Sequence, residues 1–194
     1  MPRCKDIGDG LLGAEVGCHC VLFGDGAAAA LVTDSGPGLL VQDVSIETDG
    51  SQAELIKLPG GGARHPASEE TIKCAMHYLT MNGRETFKHA VRCMGAISQQ
   101  SLERKGLTEA DVSWIVPHQA NMRIIEALAK RFSLPMEKVY TTVHKYGNTS
   151  ASAVAIALEE LMQGEEIPNG TNILLTAFGS GLTYGAAVLT QHND

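Results

Sequence analysis

Two stretches of this chain carry polar side chains at places where an α/β sheet collects chemistry. The first is Val116-Pro-His118-Gln-Ala-Asn121-Met-Arg123, where a predicted strand gives way to a helix. The second is His144-Lys-Tyr-Gly147-Asn148-Thr-Ser-Ala151, between another predicted strand and a run of small residues. Reactive groups gather at such strand-to-helix junctions, so His118 and Asn148 are the candidate chemical residues. Each has a structural alternative: a histidine satisfied within the core, and an asparagine that only caps the helix after Gly147. The clusters Gly24-Asp25-Gly26 and Gly60-Gly61-Gly62 lack the Lys-Ser/Thr ending of a phosphate loop and are turns. Cys18-His19-Cys20 does not make a zinc site. Strand alternation puts His19 on the opposite face, and no second pair completes four ligands. No metal site is expected.

These residues need elements to hold them. Cys20-Val-Leu-Phe23 predicts a short buried strand, turned by Gly24-Asp25-Gly26 into a second strand from Ala27 to Val32. A third strand is expected from Leu39 to Ile46, and Pro59-Gly-Gly-Gly62 ends that region in a loop. Ser68 before Glu69 and Glu70 predicts a capped helix start. Between Arg84 and Lys105, Phe87, Val91, Met94, Ser98 and Leu102 recur at three- and four-residue steps, and Gly106 stops that helix. Thr108 with Asp111 predicts a capped turn, and Val112 to Val116 a strand. On the helix after His118, Asn121, Ile125, Leu128 and Phe132 share one face. Tyr140 to Val143 is expected as a further strand, and Ser150 to Ala157 as a close-packing helix closed by Gly164. Asn172 to Ala177 and Leu182 to Thr190 make a final strand pair around Gly179-Ser180-Gly181. Strands alternating with helices predict an α/β fold, a layered mixed sheet covered by helices.

At 194 residues with 44% apolar and 19% charged residues, the chain has room for one packed domain, and wholesale disorder is excluded. Its net charge of −7 argues against a general nucleic-acid binder. The charge is uneven: Arg84 to Lys145 holds ten Lys or Arg and six Asp or Glu, a basic middle in an acidic chain. One face meeting an acidic partner is the reading that follows. Five cysteines, Cys4, Cys18, Cys20, Cys74 and Cys93, are an odd number without small-scaffold spacing and fit free thiols in a reducing, cytoplasmic setting. No apolar run is long enough for a signal peptide or membrane span, so no membrane association is expected.

The two motifs resemble the beta-ketoacyl-acyl-carrier-protein synthase III family. Phe23-Gly-Asp-Gly-Ala27, Pro59-Gly-Gly-Gly-Ala-Arg64, Met81-Asn-Gly83 leading to Phe87-Lys88, and Ala177-Phe178-Gly-Ser-Gly181 agree with it in order. The resemblance covers residues 20–194 as the C-terminal thiolase-like domain and leaves 1–19 as a poorly matched N-terminal segment. It implies one of two duplicated α/β halves with an active site at their junction. In that family a cysteine of the first half carries an acyl thioester. Malonyl thioester then loses CO2, and the resulting enolate attacks the acyl carbonyl. By resemblance, His118 and Asn148 donate hydrogen bonds to the thioester oxygen as charge develops, and Phe178 packs beside the cysteine and histidine. Lys88, Arg123, Lys130 and Arg131 match positions that dock acyl carrier protein, and Arg123 and Lys130, seven residues apart, can share a helix face. An ordinary solvated face is the alternative for these basic residues.

None of the five cysteines stands where the family nucleophile belongs, several dozen residues upstream of Phe23 in an Ala-Cys context. The expected function is therefore that of the C-terminal half of a condensing acyltransferase in the initiation of fatty acid biosynthesis, acting with a separate Cys-bearing half. The chain alone is expected to be inactive in acylation. The alternatives are a noncatalytic or degenerate module that binds acyl carrier protein, and a fragment without a role of its own. Substrates are expected as coenzyme A or phosphopantetheine thioesters, with no other cofactor. A homo- or hetero-oligomer is expected. His, Asn and the glycines are shared with quinolone and polyketide pathways, so they name no acyl primer.

Overall fold

The computed structural model describes residues 22–193. The segment 1–19 set apart by sequence, the Cys18-His19-Cys20 triplet and Cys4 lie outside the described residues. Four strands form one sheet: β1 (Gly38–Thr48), β4 (Trp114–Pro117), β5 (Asn172–Gly179) and β6 (Thr183–His192), in the order β1-β6-β5-β4. β6 runs antiparallel to both its neighbours, whereas β4 and β5 are parallel, so the sheet is mixed. A separate antiparallel pair, β2 (Ile56–Lys57) and β3 (Thr80–Met81), lies on the connection between β1 and the first long helix.

Alternation along the central strands explains the layers. Leu174, Ala186, Val188 and Ile115 face one side, where they are buried with Ala90, Met94, Ile97 and Leu102 of α2 (Gly83–Arg104) and with Ile124 and Leu128 of α3 (Met122–Arg131). Their neighbours Ile173, Leu189 and Val116 face the other side, against Ala157 and Leu161 of α5 (Ala153–Gly164). A strand buried on both faces carries a near-continuous apolar run, which is why Asn172–Ala177 reads so plainly in the sequence. The layered α/β expectation holds.

Local chemistry sets the helix ends. α1 (Glu69–Lys73) opens with a capping box: the Ser68 hydroxyl accepts from Thr71 N at 3.2 Å, and Thr71 Oγ1 accepts from Ser68 N at 2.9 Å. Asn82 Oδ1 accepts from Glu85 N to start α2, and Gly106, at φ +67°, follows its end. The predicted stripe of α2 is the buried one, with Met94, Ser98 and Leu102 almost fully enclosed. Halfway along, a Cβ on Gly95 would stand 1.8 Å from Arg131 Nε, so glycine is what lets the guanidinium of α3 lie across α2.

Five expectations need correction. Tyr140 to Val143 is not a strand; one parallel bridge joins Val139 to Ile115, and a helical turn, α4 (Val143–Tyr146), begins at once. The reason is a side chain: Gln119 Oε1 takes the Thr142 and Val143 amides that a strand would offer to a neighbour. Ala27 to Val32 forms no strand either, for Leu31 and Val32 are 91% and 86% exposed and no described strand lies beside them. Of the strand expected at Cys20 to Phe23, only the end is described, as an isolated bridge from Phe23 to Asn148. Asn121 does not join the face of α3 but caps it, accepting from Ile124 N at 3.1 Å. The free-thiol expectation fails at Cys74, which is disulfide-bonded, and holds at Cys93, which is buried. An odd count rules out only the pairing of all five. No described helix is long and apolar enough to cross a membrane.

Candidate active site

His118 follows the last residue of β4 directly, and its backbone N–H continues the ladder to Thr176 O at 2.7 Å. The chain then turns into α3, so the imidazole is left half-buried at the sheet edge. Burial holds its pKa below the usual histidine value, and the ring is neutral near pH 7. Among the described residues neither ring nitrogen has a hydrogen-bond partner in the protein.

Asn148 is fixed from three directions. Its backbone N–H donates to Leu22 O at 2.8 Å, and its carbonyl accepts from Gly24 N at 3.0 Å. Its side-chain Oδ1 accepts from Ser150 N at 2.9 Å. That last bond uses the carbonyl end of the amide and leaves the NH2 end as a donor without a described partner. Asn148 thus closes a local turn with Ser150 and does not cap the helix, since Thr149 precedes the first helical turn and Ser152 stands at the N-cap of α5; its NH2 remains available to the site. The backbone crossing needs Gly24, where a Cβ would stand 1.8 Å from Tyr146 O. Behind the loop, Glu160 of α5 accepts from Lys145 at 2.5 Å and from the Tyr146 hydroxyl, and its carboxyl is held below the usual range by those bonds.

His118, Asn148 and Phe178 line a single cleft of about 1380 Å³. Phe178, on β5, is both wall and core, since it also packs against the cluster beneath α2 and α3. Most of the remaining lining is apolar, including Phe23, Ile56, Met81 and Ile124. Lys88 and Arg123 reach the same cleft. Arg123 lies over the Phe87 ring, 5.7 Å from its centroid, and Lys88 pairs with Glu85 at 2.8 Å. Lys130 is exposed on the same face of α3 as Arg123, with Glu126 between them, but it does not line the cleft. Arg131 is turned onto Gly95 and is also outside it.

Three polar lining residues carried no site reading in the sequence. Arg84 stands four residues before Lys88 on α2, a spacing that places both on one face. Asn121 spends its carbonyl oxygen on the α3 cap and keeps its NH2 for the cleft. Thr86 lines the cleft and is buried, with no described partner for its hydroxyl, a feature no local pattern signals. The described residues hold no cluster of three His, Cys, Asp or Glu.

The sequence model of the 3-oxoacyl-(acyl-carrier-protein) synthase III C terminal matches residues 102–191. The beta-ketoacyl-(acyl-carrier-protein) synthase III of Chlamydia pneumoniae is 51% identical over 173 residues, covering 89% of this chain and 52% of that protein. The protein of the same name from a Roseiflexus species is 47% identical, with 88% and 52% covered. Among solved structures, the 3-oxoacyl-(acyl-carrier-protein) synthase III of Aquifex aeolicus superposes with a TM-score of 0.76 at 42% identity, covering 89% of this chain and 51% of that one. The Thermus thermophilus enzyme gives 0.74 at 38% identity, with 91% and 54% covered. The chain thus spans about half the length of the curated relatives it matches, and its fold is a thiolase-like half. The family model, the relatives and the superposed structures leave one assignment: the chain belongs to the beta-ketoacyl-(acyl-carrier-protein) synthase III family and carries its C-terminal half.

Proposed function

We propose that this chain supplies the hydrogen-bond-donor half of a condensing acyltransferase, and that the nucleophilic cysteine comes from a half outside the described residues. In the reaction, the bond from the malonyl carbon to its carboxylate breaks, CO2 leaves, and the electron pair forms a thioester enolate. The enolate carbon then attacks the acyl carbonyl and the cysteine thiolate departs. The observation that carries this reading is one cleft holding two neutral N–H donors, His118 and Asn148, whose donor atoms have no described protein partner. Unpartnered donors in a largely apolar cleft suit a charge that appears only during reaction. Phe178 walls the site beside them. Substrates carried as coenzyme A or phosphopantetheine thioesters supply the reactive carbonyls themselves.

Neither described cysteine lines the cleft, for Cys93 is buried in α2 and Cys74 is disulfide-bonded. Incubation with acetyl-coenzyme A is therefore expected to leave the intact mass of the chain unchanged. Adding the Cys-bearing half of a close relative, such as the Chlamydia pneumoniae protein, is expected to place the acetyl group on that half and to start malonyl thioester decarboxylation. A hydroxylamine-sensitive acetyl group on this chain's own cysteines, or no decarboxylation by the pair, would refute the proposal. The second outcome, with carrier binding intact, would favour the noncatalytic module.

The partner we propose for the cleft mouth is acyl carrier protein, an acidic protein that suits Arg84, Lys88 and Arg123 there, with Lys130 farther along the face of α3. Arg131, folded onto Gly95, contributes charge from outside the mouth. Arg123→Glu is expected to weaken carrier binding about tenfold or more. The effect should fade with added salt, since exposed charges are screened beyond about 8 Å at physiological ionic strength. Equal affinities for wild type and variant in a titration would remove Arg123 from the interface.

A further inference from the structure

His118 and Asn148 come from separate junctions, 30 positions apart in the chain, and something must set the distance between them. Gln119, next to His118, is fully buried. Its Nε2 donates to Pro117 O at 2.7 Å and to Tyr140 O at 3.2 Å. Its Oε1 accepts from Thr142 N at 2.8 Å and from Val143 N at 3.1 Å. A primary amide offers two donors and two acceptor positions, so all four are used.

The four partners fall on the two sides of the site. Pro117 O belongs to the peptide that precedes His118, and the His118 N–H is bound to Thr176 on the other flank. Tyr140, Thr142 and Val143 lie on the segment that runs through α4 to Gly147 and Asn148. The hydrogen-bonded ladder between those two segments is a bridge at Val139 alone, with Tyr140 N on Ile115 O, so the side chain replaces pairing that the backbone does not make. We propose that Gln119 is a positioning residue: it holds the β4 end that carries His118 at a fixed geometry to the segment that carries Asn148. This rests on the reading of those two residues as a donor pair, and it adds the device that makes them one.

The test uses the full chain and nuclear magnetic resonance of two groups, the His118 ring and the Asn148 side-chain NH2. Gln119→Met keeps the volume and removes all four bonds. It is expected to move the His118 titration midpoint toward the ordinary histidine value and to shift or broaden the Asn148 NH2 signals. Leu161→Ala, in the cluster on the opposite face of the sheet, serves as a control for lost stability and is expected to move neither. In the enzyme reconstituted with a Cys-bearing half, Gln119→Met is expected to lower kcat at least tenfold with little change in KM, whereas the control keeps kcat. Signals and kcat in Gln119→Met that match those of Leu161→Ala would overturn the proposal. If Gln119→Met does not fold, hydrogen exchange in the wild type decides: Thr142 and Val143 amides should be as protected as the β4–β5 ladder, and fast exchange at both would overturn it. A wild type that shows the expected signals but no decarboxylation sinks the proposed function and leaves the Gln119 arm readable.

Discussion

Asn148→Asp is expected to slow malonyl thioester decarboxylation by the reconstituted pair at least a thousandfold, and His118→Ala by a factor of about 100 to 1,000. The second figure is what removal of one donor to a developing oxyanion costs, roughly 3–4 kcal/mol. The aspartate variant does more because of how Asn148 is held. Its Oδ1 accepts from Ser150 N, and an aspartate can keep that bond and the shape of the loop. What it loses is the NH2, and in its place a second carboxylate oxygen faces the enolate, so attraction becomes repulsion. Asn148→Ala loses the loop bond as well as the donor, and a fall in its rate mixes two causes. At the other position, His118→Gln keeps a neutral N–H of similar reach and is expected to recover part of the rate lost in His118→Ala. Burial already keeps the His118 ring neutral near pH 7, so the substitution changes reach more than charge. Decarboxylation rates measured with malonyl thioester at saturating concentration check all three. Rates for Asn148→Asp and His118→Ala within threefold of the wild type would remove both residues from the reaction.

The parts of this molecule that were legible in sequence are those with local causes. The α2 stripe, the Asn172–Ala177 run buried on both faces, and the Ser68 capping box each follow from a spacing or a neighbour within a few residues. His118 and Asn148 were legible as junction residues, because a strand end is readable even where its partner is not. The failures have distant causes. Tyr140 to Val143 carries strand-forming residues, yet a glutamine more than twenty positions away captures its amides. Ala27 to Val32 is apolar and β-prone at its end, but a strand is made by its neighbour, and no described strand lies beside it. Four basic positions looked like one set. Helix geometry divides them, with Lys88 and Arg123 at the cleft, Lys130 two turns along, and Arg131 laid over Gly95. Arg84 joins the first pair because it stands one turn from Lys88.

At micromolar concentration the chain is expected to sediment as an associated species, not as a monomer of 20.6 kDa. Single exposed apolar side chains are ordinary on a protein surface; a contiguous set is not. On β1, which is an edge of the sheet, Leu40, Val41, Val44 and Ile46 are 52%, 55%, 55% and 71% exposed within seven residues. Ile46 also lines the cleft, together with Leu22 and Phe23, which are exposed at its rim. Ile46 thus joins the exposed apolar residues of the sheet edge to the site, where the reading proposed above puts the Cys-bearing half. An interface between permanent partners commonly buries about 2,000 Å² or more. At roughly 25 cal/mol per Å² of apolar surface, even a partly apolar face of that size drives association by many kcal/mol before the entropy of joining is subtracted. With the other half present, a one-to-one complex is expected. Without it, a second copy is the nearest substitute, because the two halves of the family resemble each other in fold. The double substitution Ile46→Lys with Val44→Glu, on the exposed edge, is expected to shift either equilibrium toward monomer, since each places a charge where the partner would desolvate it. Sedimentation equilibrium of the chain alone, of the chain with the Cys-bearing half, and of the double variant checks this. A well-behaved single species of 20.6 kDa for the wild-type chain alone would refute it.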